Sequence, residues 1–412
     1  MRNMTLVEFY DDKALENISG TLYLKPDKVI YLGSRGNKLK RFTGYCREVL
    51  KDLGLKTEVE YRTINPNSLD FMINVLSDIL RENEVCEFNL TGGEETVLVA
   101  LGIVYERFPN RVQIHKINLN TGMFLDMDGD NSHGWDGTVP GLSVENLVRI
   151  YGGSVIHSGS AQPGSEDFVW DQKFCKAVRD MWNLCRGDCG RWNIQIANLE
   201  LAQKYGGQEN SLQVNLRKNS EVRFDGDFIH QPLFGKLCER GYIQNFTETD
   251  TAYRYAFRDE QIKQCLTKAG MILELAVCLA AKSVKEDGKP FFQDVKSGVY
   301  LDWDSALHDT GERVETVNEI DVIMMHNLIP VFASCKNGNM SVDELYKLKV
   351  VGERFGLGYA RKILVLTDYA GRHQQNFAYI RERAEDMNIM ILRDVHQLSI
   401  QKLGMELKKI CQ

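Results

Sequence analysis

Residues 5–117 alternate short strand-forming runs with helix-length amphipathic stretches, and no other feature limits the fold as much. Thr5–Phe9, Lys28–Leu32, Thr57–Tyr61, Cys86–Leu90 and Arg111–Ile117 read as strands. Between them Lys13–Leu24, Lys38–Asp52, Leu69–Arg81 and Glu94–Arg107 read as helices. Strands spaced by helices of this length pair mostly in parallel and are covered on both faces. The prediction is an α/β domain of Rossmann-like build, whose ligands collect beyond the carboxyl ends of its strands. Two small-residue turns fall at such ends: Gly33-Ser34-Arg35 after the second strand and Thr91-Gly92-Gly93 after the fourth. Small residues admit a ligand closely, amides at a helix start favour phosphate, and Arg35 offers a bidentate donor. Two glycines alone suit an ordinary turn equally well.

The pattern changes after residue 157. The run "SGSAQPGS" (158–165) is small and polar, as a linker would be. Helices follow over Phe168–Cys185, Trp192–Tyr205 and Gln231–Gly241, then a hairpin of Tyr242–Phe246 and Ala252–Phe257. Helices followed by a small hairpin suggest a winged-helix-like module. A spacer or dimerisation unit fits better, because Glu239, Glu248 and Asp250 do not favour a DNA-facing wing. A second α/β unit begins with a helix over Cys265–Ser283 and continues with strands near Gly298–Leu301, Asn318–Met324 and Pro330–Cys335. It ends with helix Val342–Phe355, strand Lys362–Thr367, a helix around Asn376–Glu385, strand Ile389–Leu392 and helix Leu398–Ile410. Ser341 with Glu344 three residues on reads as a capping box. The expected division is 1–157, 158–264 and 265–412.

Composition narrows the function. A chain of 412 residues can hold two or three cores. The net charge of −7, concentrated in the first 150 residues, argues against a broad basic surface for nonspecific DNA binding. Ten cysteines show no paired metal spacing: Cys185 and Cys189 are neighbours without a matching cluster. With no apolar leader after Met1 and no span-length apolar run, a reduced cytoplasmic protein without a membrane segment is expected. No full G-x-G-x-x-G follows the early strands, which weakens a dinucleotide oxidoreductase.

The segment "NEIDVIMMHNLIPVFASCKNG" (318–338) reads as two apolar strands and a turn, yet carries Glu319, Asp321, Ser334 and Lys336. Alternation puts Ile320, Val322 and Met324 on one face and Glu319, Asp321 and Ile323 on the other. In the second strand Ser334 and Lys336 oppose Ala333 and Cys335. The charged residues can thus converge, if the register allows. Carboxylates packed together repel and are costly to bury, and Mg²⁺ or Mn²⁺ relieves both problems. Glu274, alone in the apolar run "MILELAVCLAA", is the natural third acid, although it also suits a solvent face. Lys336 would orient or deprotonate a water, or offset charge on a phosphate. Asp302 and Asp304 could support the site, and Asn337 could bond near it. A half-exposed hairpin with a salt-bridge cluster is the competing reading.

Three runs, "LTKAGMILE", "VNEIDVIMMHNLIPVFASCKNG" and "ELYKLKVVGERFG", closely resemble the C-terminal part of CRISPR-associated Rossmann-fold (CARF) nucleases. The resemblance is specific over residues 318–338 and weaker before residue 160. It implies an N-terminal CARF sensor and a C-terminal restriction-endonuclease-like PD-(D/E)xK domain. It also implies a homodimer that binds cyclic oligoadenylate, usually cyclic tetra-adenylate, and then cleaves DNA, RNA or both in type III CRISPR antiviral defence. By this resemblance Glu274, Glu319 and Asp321 are metal-binding and catalytic acids, and Lys336 is the catalytic lysine. Ser334 stands where the general motif has an acid, so Glu274 and Glu319 must supply the missing ligand. Cys335 is expected to be packed rather than nucleophilic. "NLTGGEE" matches a family loop that commonly reads Thr-Gly-Gly-Thr-Lys, which implies Thr91, Gly92 and Gly93, with Glu95 beside them, as ligand-pocket residues; Gly33, Ser34 and Arg35 are the other candidate turn, where Arg35 offers the phosphate donor that Glu95 cannot. Glu94 and Glu95 replace a hydroxyl and a cation there. The alternative is a CARF-type ligand-responsive transcription regulator with a degenerate nuclease domain.

Overall fold

The computed structural model describes residues 4–127, 132–133, 139–157, 168–207, 211–218, 222–268, 270–304, 317–338, 340–367 and 377–411. The expected linker at 158–165 lies outside the described residues. The N-terminal lobe runs β1 (Thr5–Phe9), α1 (Ala14–Leu24), β2 (Lys28–Gly33), α2 (Gly36–Asp52), β3 (Glu58–Thr63), α3 (Leu69–Glu82), β4 (Cys86–Asn89), α4 (Glu95–Arg107), β5 (Val112–Asn118), β6 (Met123–Asp126), β7 (Ser132–His133) and α5 (Val144–Ile150). Its sheet has the order β3-β2-β1-β4-β5-β6-β7, parallel through β5 and antiparallel beyond. The order reverses between β1 and β4, so the turns after β1, β2 and β4 open at one end of the sheet, where ligands of such folds bind. This is the α/β build expected; strands β6 and β7 and helix α5 were not.

The middle region comprises α6 (Gln172–Cys185), α7 (Cys189–Gly206), β9 (Gln213–Arg217), α8 (Gln231–Glu239), β10 (Ile243–Glu248), β11 (Ala252–Phe257) and α9 (Glu260–Thr267); β8 is the preceding strand Ser154–Ile156. The anticipated hairpin is present, and β9 extends it to a three-stranded antiparallel sheet, β10-β11-β9. Asp171, Asp188 and Asp259 cap their helices through backbone N–H groups of the first turn, each worth about 1 kcal/mol.

The C-terminal lobe contains α10 (Met271–Ser283), the two-residue strands β12 (Lys285–Glu286) and β13 (Lys289–Pro290), β14 (Asp294–Asp302), β15 (Val317–His326), β16 (Ile329–Lys336), α11 (Asp343–Arg354), β17 (Arg361–Leu366), α12 (Phe377–Asp386), β18 (Met390–Leu392) and α13 (Ile400–Cys411). Its six-stranded sheet has the order β18-β17-β16-β15-β14-β8. The edge strand β8 comes from before the expected boundary at 157, pairing Ser154 with Asp302. The single helix read over Cys265–Ser283 is two, α9 and α10, with Gly270 at φ +87° between them.

One hydrophobic core, with Leu15, Val29, Leu301, Phe332, Leu348 and Phe355, lies between the two large sheets. A second, with Val277, Val322, Ala333 and Leu403, fills the opposite side of the C-terminal sheet. The expected alternation breaks here. Val295 of β14 and Val322 of β15 enter the second core, whereas Val299 and Ile320, of the same parity, enter the first. Gly298, at φ +58°, sits in that reversal, a left-handed conformation that glycine adopts without a Cβ penalty. Asp321 occupies the same point on the neighbouring strand, between Val322, which pairs with Ser297, and Ile320, which pairs with Val299.

No single helix among the described residues is long and apolar enough to cross a membrane.

Candidate active site

The β15–β16 ladder pairs Val322 with Ala333, and one further step sets Asp321 beside Ser334. There the carboxylate replaces the backbone ladder: Asp321 Oδ2 accepts from Cys335 N (2.6 Å) and Ser334 Oγ (3.2 Å). Lys336 Nζ stands 3.9 Å from the same oxygen and 3.1 Å from Glu344 Oε2. These groups line a cavity of about 220 Å³ together with Asn318 and Glu319. Glu274, in the first turn of α10, is partly buried and near enough to Asp321, Glu319 and Lys336 for their charges to act on it. All four expected residues are therefore brought to one region, Lys336 and Asp321 in direct approach and Glu274 and Glu319 at longer range.

The electrostatics follow from burial. Glu274 is pushed well above the usual carboxylate range by burial first, then by repulsion from Asp321 and Glu319. Asp321 is raised as well, by burial, with Lys336, the Cys335 N–H and Ser334 pulling it back. Burial disfavours the charge on Lys336, but Asp321 and Glu344 outweigh it and hold the ammonium above the ordinary lysine range. A lysine held protonated is a cation, not a base. Burial raises the Cys335 thiol far above its ordinary value, which makes it a packed residue and a poor nucleophile.

Crowded carboxyl oxygens suit a hard divalent cation, which relieves their mutual repulsion. As placed, however, no three His, Cys, Asp or Glu side chains among the described residues form a set close enough to hold one. The donor chemistry fits and the cage is not closed.

Glu344 is the residue sequence reasoning missed. Its spacing from Ser341 suggests the far half of a capping box, but α11 starts at Asp343 with Val342 as its cap and no side-chain capping bond. Glu344 points instead at Lys336 and Lys347. Asp302 and Asn337 serve packing: Asp302 accepts from Ser154 Oγ (3.4 Å) at the β8 join, and Asn337 Nδ2 donates to Asn193 Oδ1 (2.9 Å) on α7. Asp304 lines a larger cavity, about 460 Å³, between the lobes.

At the N-terminal lobe the two expected turns meet, for Ser34 Oγ donates to Glu94 Oε1 at 2.6 Å. Gly93 has φ +106°, and a methyl there would fall 2.4 Å from Phe9 Cβ, so glycine is required. Thr91 is structural: its hydroxyl donates to Asn89 Oδ1 and accepts from Ile117 N (2.8 Å). Arg35 is paired with Asp12 (2.8 Å), as is Lys38 (3.1 Å). Glu95 is exposed in the first turn of α4. With Asp11, Asp12 and Glu94 nearby, an anionic ligand here has to draw Arg35 and Lys38 away from Asp12.

No family model and no curated protein sequence matches the chain. Solved structures do. Protein VC1899 from Vibrio cholerae superimposes with a TM-score of 0.74 at 19% identity, over 99% of this chain and 98% of that one. Can2 from Sulfobacillus thermosulfidooxidans, solved in complex with cyclic tetra-adenylate, gives 0.65 at 16% identity, over 99% of each chain. From end to end, the chain has the fold that VC1899 and Can2 share.

Proposed function

We propose that this protein is a metal-dependent nuclease, acting on DNA and/or RNA, that a cyclic oligoadenylate switches on in type III CRISPR antiviral defence. The observation that carries the reading is the convergence of Asp321 and Lys336 at the splayed end of β15 and β16, with Glu274 and Glu319 in electrostatic range. In this reading residues 1–157 are the sensor, 158–264 a connecting winged-helix-like module and 265–412 the nuclease, with β8 lent to the nuclease sheet. The complex of Can2 with cyclic tetra-adenylate, on a shared fold, supports that ligand class. A homodimer would join two sensor turns into one site for a near-symmetric ring.

Asp321, Glu274 and Glu319 would hold Mg²⁺ or Mn²⁺, with Glu274 giving up its proton. When bound, the cation supplies an activated water and neutralises phosphate charge. Lys336, protonated, stabilises the charge that develops on a phosphate oxygen. Ser334 and the Cys335 N–H fix the Asp321 carboxylate by hydrogen bonds. Gly33, Ser34, Arg35, Thr91, Gly92, Gly93 and Glu95 form the ligand-facing turns, Arg35 as the phosphate donor.

The test incubates the protein with labelled single-stranded and supercoiled nucleic acids, varying Mn²⁺ or Mg²⁺ and the ring size of the cyclic oligoadenylate. Products are expected only with metal, and more with one ring size. No product under any condition sinks the reading. The unclosed acid set and Ser334 favour a second one, a ligand-responsive regulator with a degenerate nuclease domain. Ligand binding that Arg35→Ala abolishes, with no cleavage at all, would establish it.

A further inference from the structure

One helix and the turn that follows it reach both proposed sites. In the first turn of α11, Glu344 approaches Lys336 more closely (3.1 Å) than Asp321 does (3.9 Å). Just beyond the C-terminal end of α11, Tyr359 donates its hydroxyl to Glu16 of α1, 343 residues away in sequence. Glu16 is 3% exposed and also takes Lys13 Nζ at 2.8 Å. A methyl on Gly92 would fall 3.2 Å from Asp11 Oδ2 and 3.4 Å from Glu16 Oε2. The turn after β4 therefore rests on the carboxylate that Tyr359 holds.

A second link runs through the last residue of α11. Arg354 donates to Trp303 O (2.6 Å), and Trp303 Nε1 donates to Asn318 Oδ1 (2.7 Å), whose residue lines the catalytic cavity. The inner face of the helix, Leu345, Leu348 and Val351, is buried with Phe355 in the core between the sheets. Twelve residues give a rod about 18 Å long, and a packed rod shifts as a body rather than bending. Lys336 lies between two carboxylates, 3.1 Å from Glu344 and 3.9 Å from Asp321, so a shift of the helix alters which of them it favours.

We propose that α11 is the transmission element of this protein, with Glu344 and Tyr359 as its positioning residues. Displacing the turn after β4 moves Glu16, Tyr359 carries the movement to the helix, and Glu344 releases Lys336 toward Asp321 and the substrate phosphate. The proposal rests on the nuclease reading for its purpose, but not for its test.

Hydrogen–deuterium exchange of the full chain without ligand decides the coupling independently of cleavage. Tyr359→Phe is expected to speed exchange about twofold or more in peptides covering 343–350, at the far end of the helix. Coupling is reciprocal, so Glu344→Gln is expected to speed exchange by a similar factor, about twofold, in peptides covering 355–361 and 11–18. A change confined to 355–361 in Tyr359→Phe, or no change there in Glu344→Gln, overturns the proposal. In cleavage assays with saturating cyclic tetra-adenylate, Tyr359→Phe is expected to keep metal-dependent basal cleavage. It should lose about tenfold or more of the activation, within the range of common coupling energies; activation equal to wild type overturns the proposal. A wild-type protein that never cleaves sinks the nuclease reading instead, and the exchange data alone then decide the coupling.

Discussion

Glu8 and Glu274 are both carboxyls that burial lifts well above their ordinary value, and they differ in what surrounds them. Glu8, on β1 and 2% exposed, accepts from Asn89 Nδ2 at 2.9 Å, and its one acidic neighbour of note, Asp11, is the smallest of the causes acting on it. Its other oxygen and His115 Nε2 have no hydrogen-bond partner among the described residues. Both face the small space beside Gly20, where a methyl would fall 2.3 Å and 3.3 Å from them. Glu274 has Asp321 and Glu319 pressing on it after burial, with Lys336 and Lys268 in partial relief. At Glu8 burial acts with little help from neighbouring acids. Burial beside other acids makes a group whose proton a cation can replace.

The sharpest test of that contrast is activity. Asp321→Ala or Lys336→Ala is expected to lower kcat by on the order of 10²–10³-fold with fold retained, since each removes charge stabilisation in a low-dielectric cavity. Glu8→Gln should leave kcat unchanged. Equal losses at both sites would break the comparison.

Metal linkage comes next. Mn²⁺ at one hundred times its dissociation constant should stabilise the wild type by about 2.7 kcal/mol, read as a shift in the thermal midpoint. Glu274→Gln should lose most of that shift, and Glu8→Gln none of it. A third, smaller effect belongs to Glu8 alone. Glu8→Leu strands the Asn89 amide in the interior and should cost about 1–3 kcal/mol by denaturant unfolding. Because Asn89 Oδ1 also accepts from Thr91, affinity for cyclic tetra-adenylate should fall with it if the turn after β4 faces the ligand as proposed.

The contrast also marks where a sequence stops being readable. The β1–β5 alternation and the meeting of Asp321 with Lys336 were legible because both are local: periodicity sets one, a short hairpin the other. Glu344 was visible but misread, since Ser-x-x-Glu before a helix looks like a cap until the helix is found to start at Asp343. The parity reversal at Gly298 was not legible, because one left-handed glycine inverts a strand's faces without altering its composition. The contact of Tyr359 with Glu16 spans most of the chain, and no local pattern encodes it. Nor does Glu8 announce itself, for a lone acid in a strand reads as a solvent-facing residue until the sheet covers it.

The last effect separates the two acids by pH. Each has a folded pKa above its unfolded value of about 4.5, so between those values the folded state holds a proton that the unfolded chain has released. Stability therefore falls as pH rises through that window, and it is fully present only below it. Near pH 4 both side chains are protonated, and a protonated carboxyl and an amide each offer donor and acceptor. Glu8→Gln and Glu274→Gln should then both lie within about 0.5 kcal/mol of wild type. At pH 8 without metal both variants should be more stable than wild type, because neither carries the proton that the wild type struggles to keep. Adding Mn²⁺ should erase that advantage for Glu274→Gln, whose wild-type counterpart now gives its proton up to a cation, and leave it intact for Glu8→Gln. Thermal midpoints of three proteins at two pH values, with and without Mn²⁺, contain the whole comparison. An advantage for Glu274→Gln that survives saturating Mn²⁺ would make Glu274 a second Glu8, a buried neutral acid with no part in holding metal.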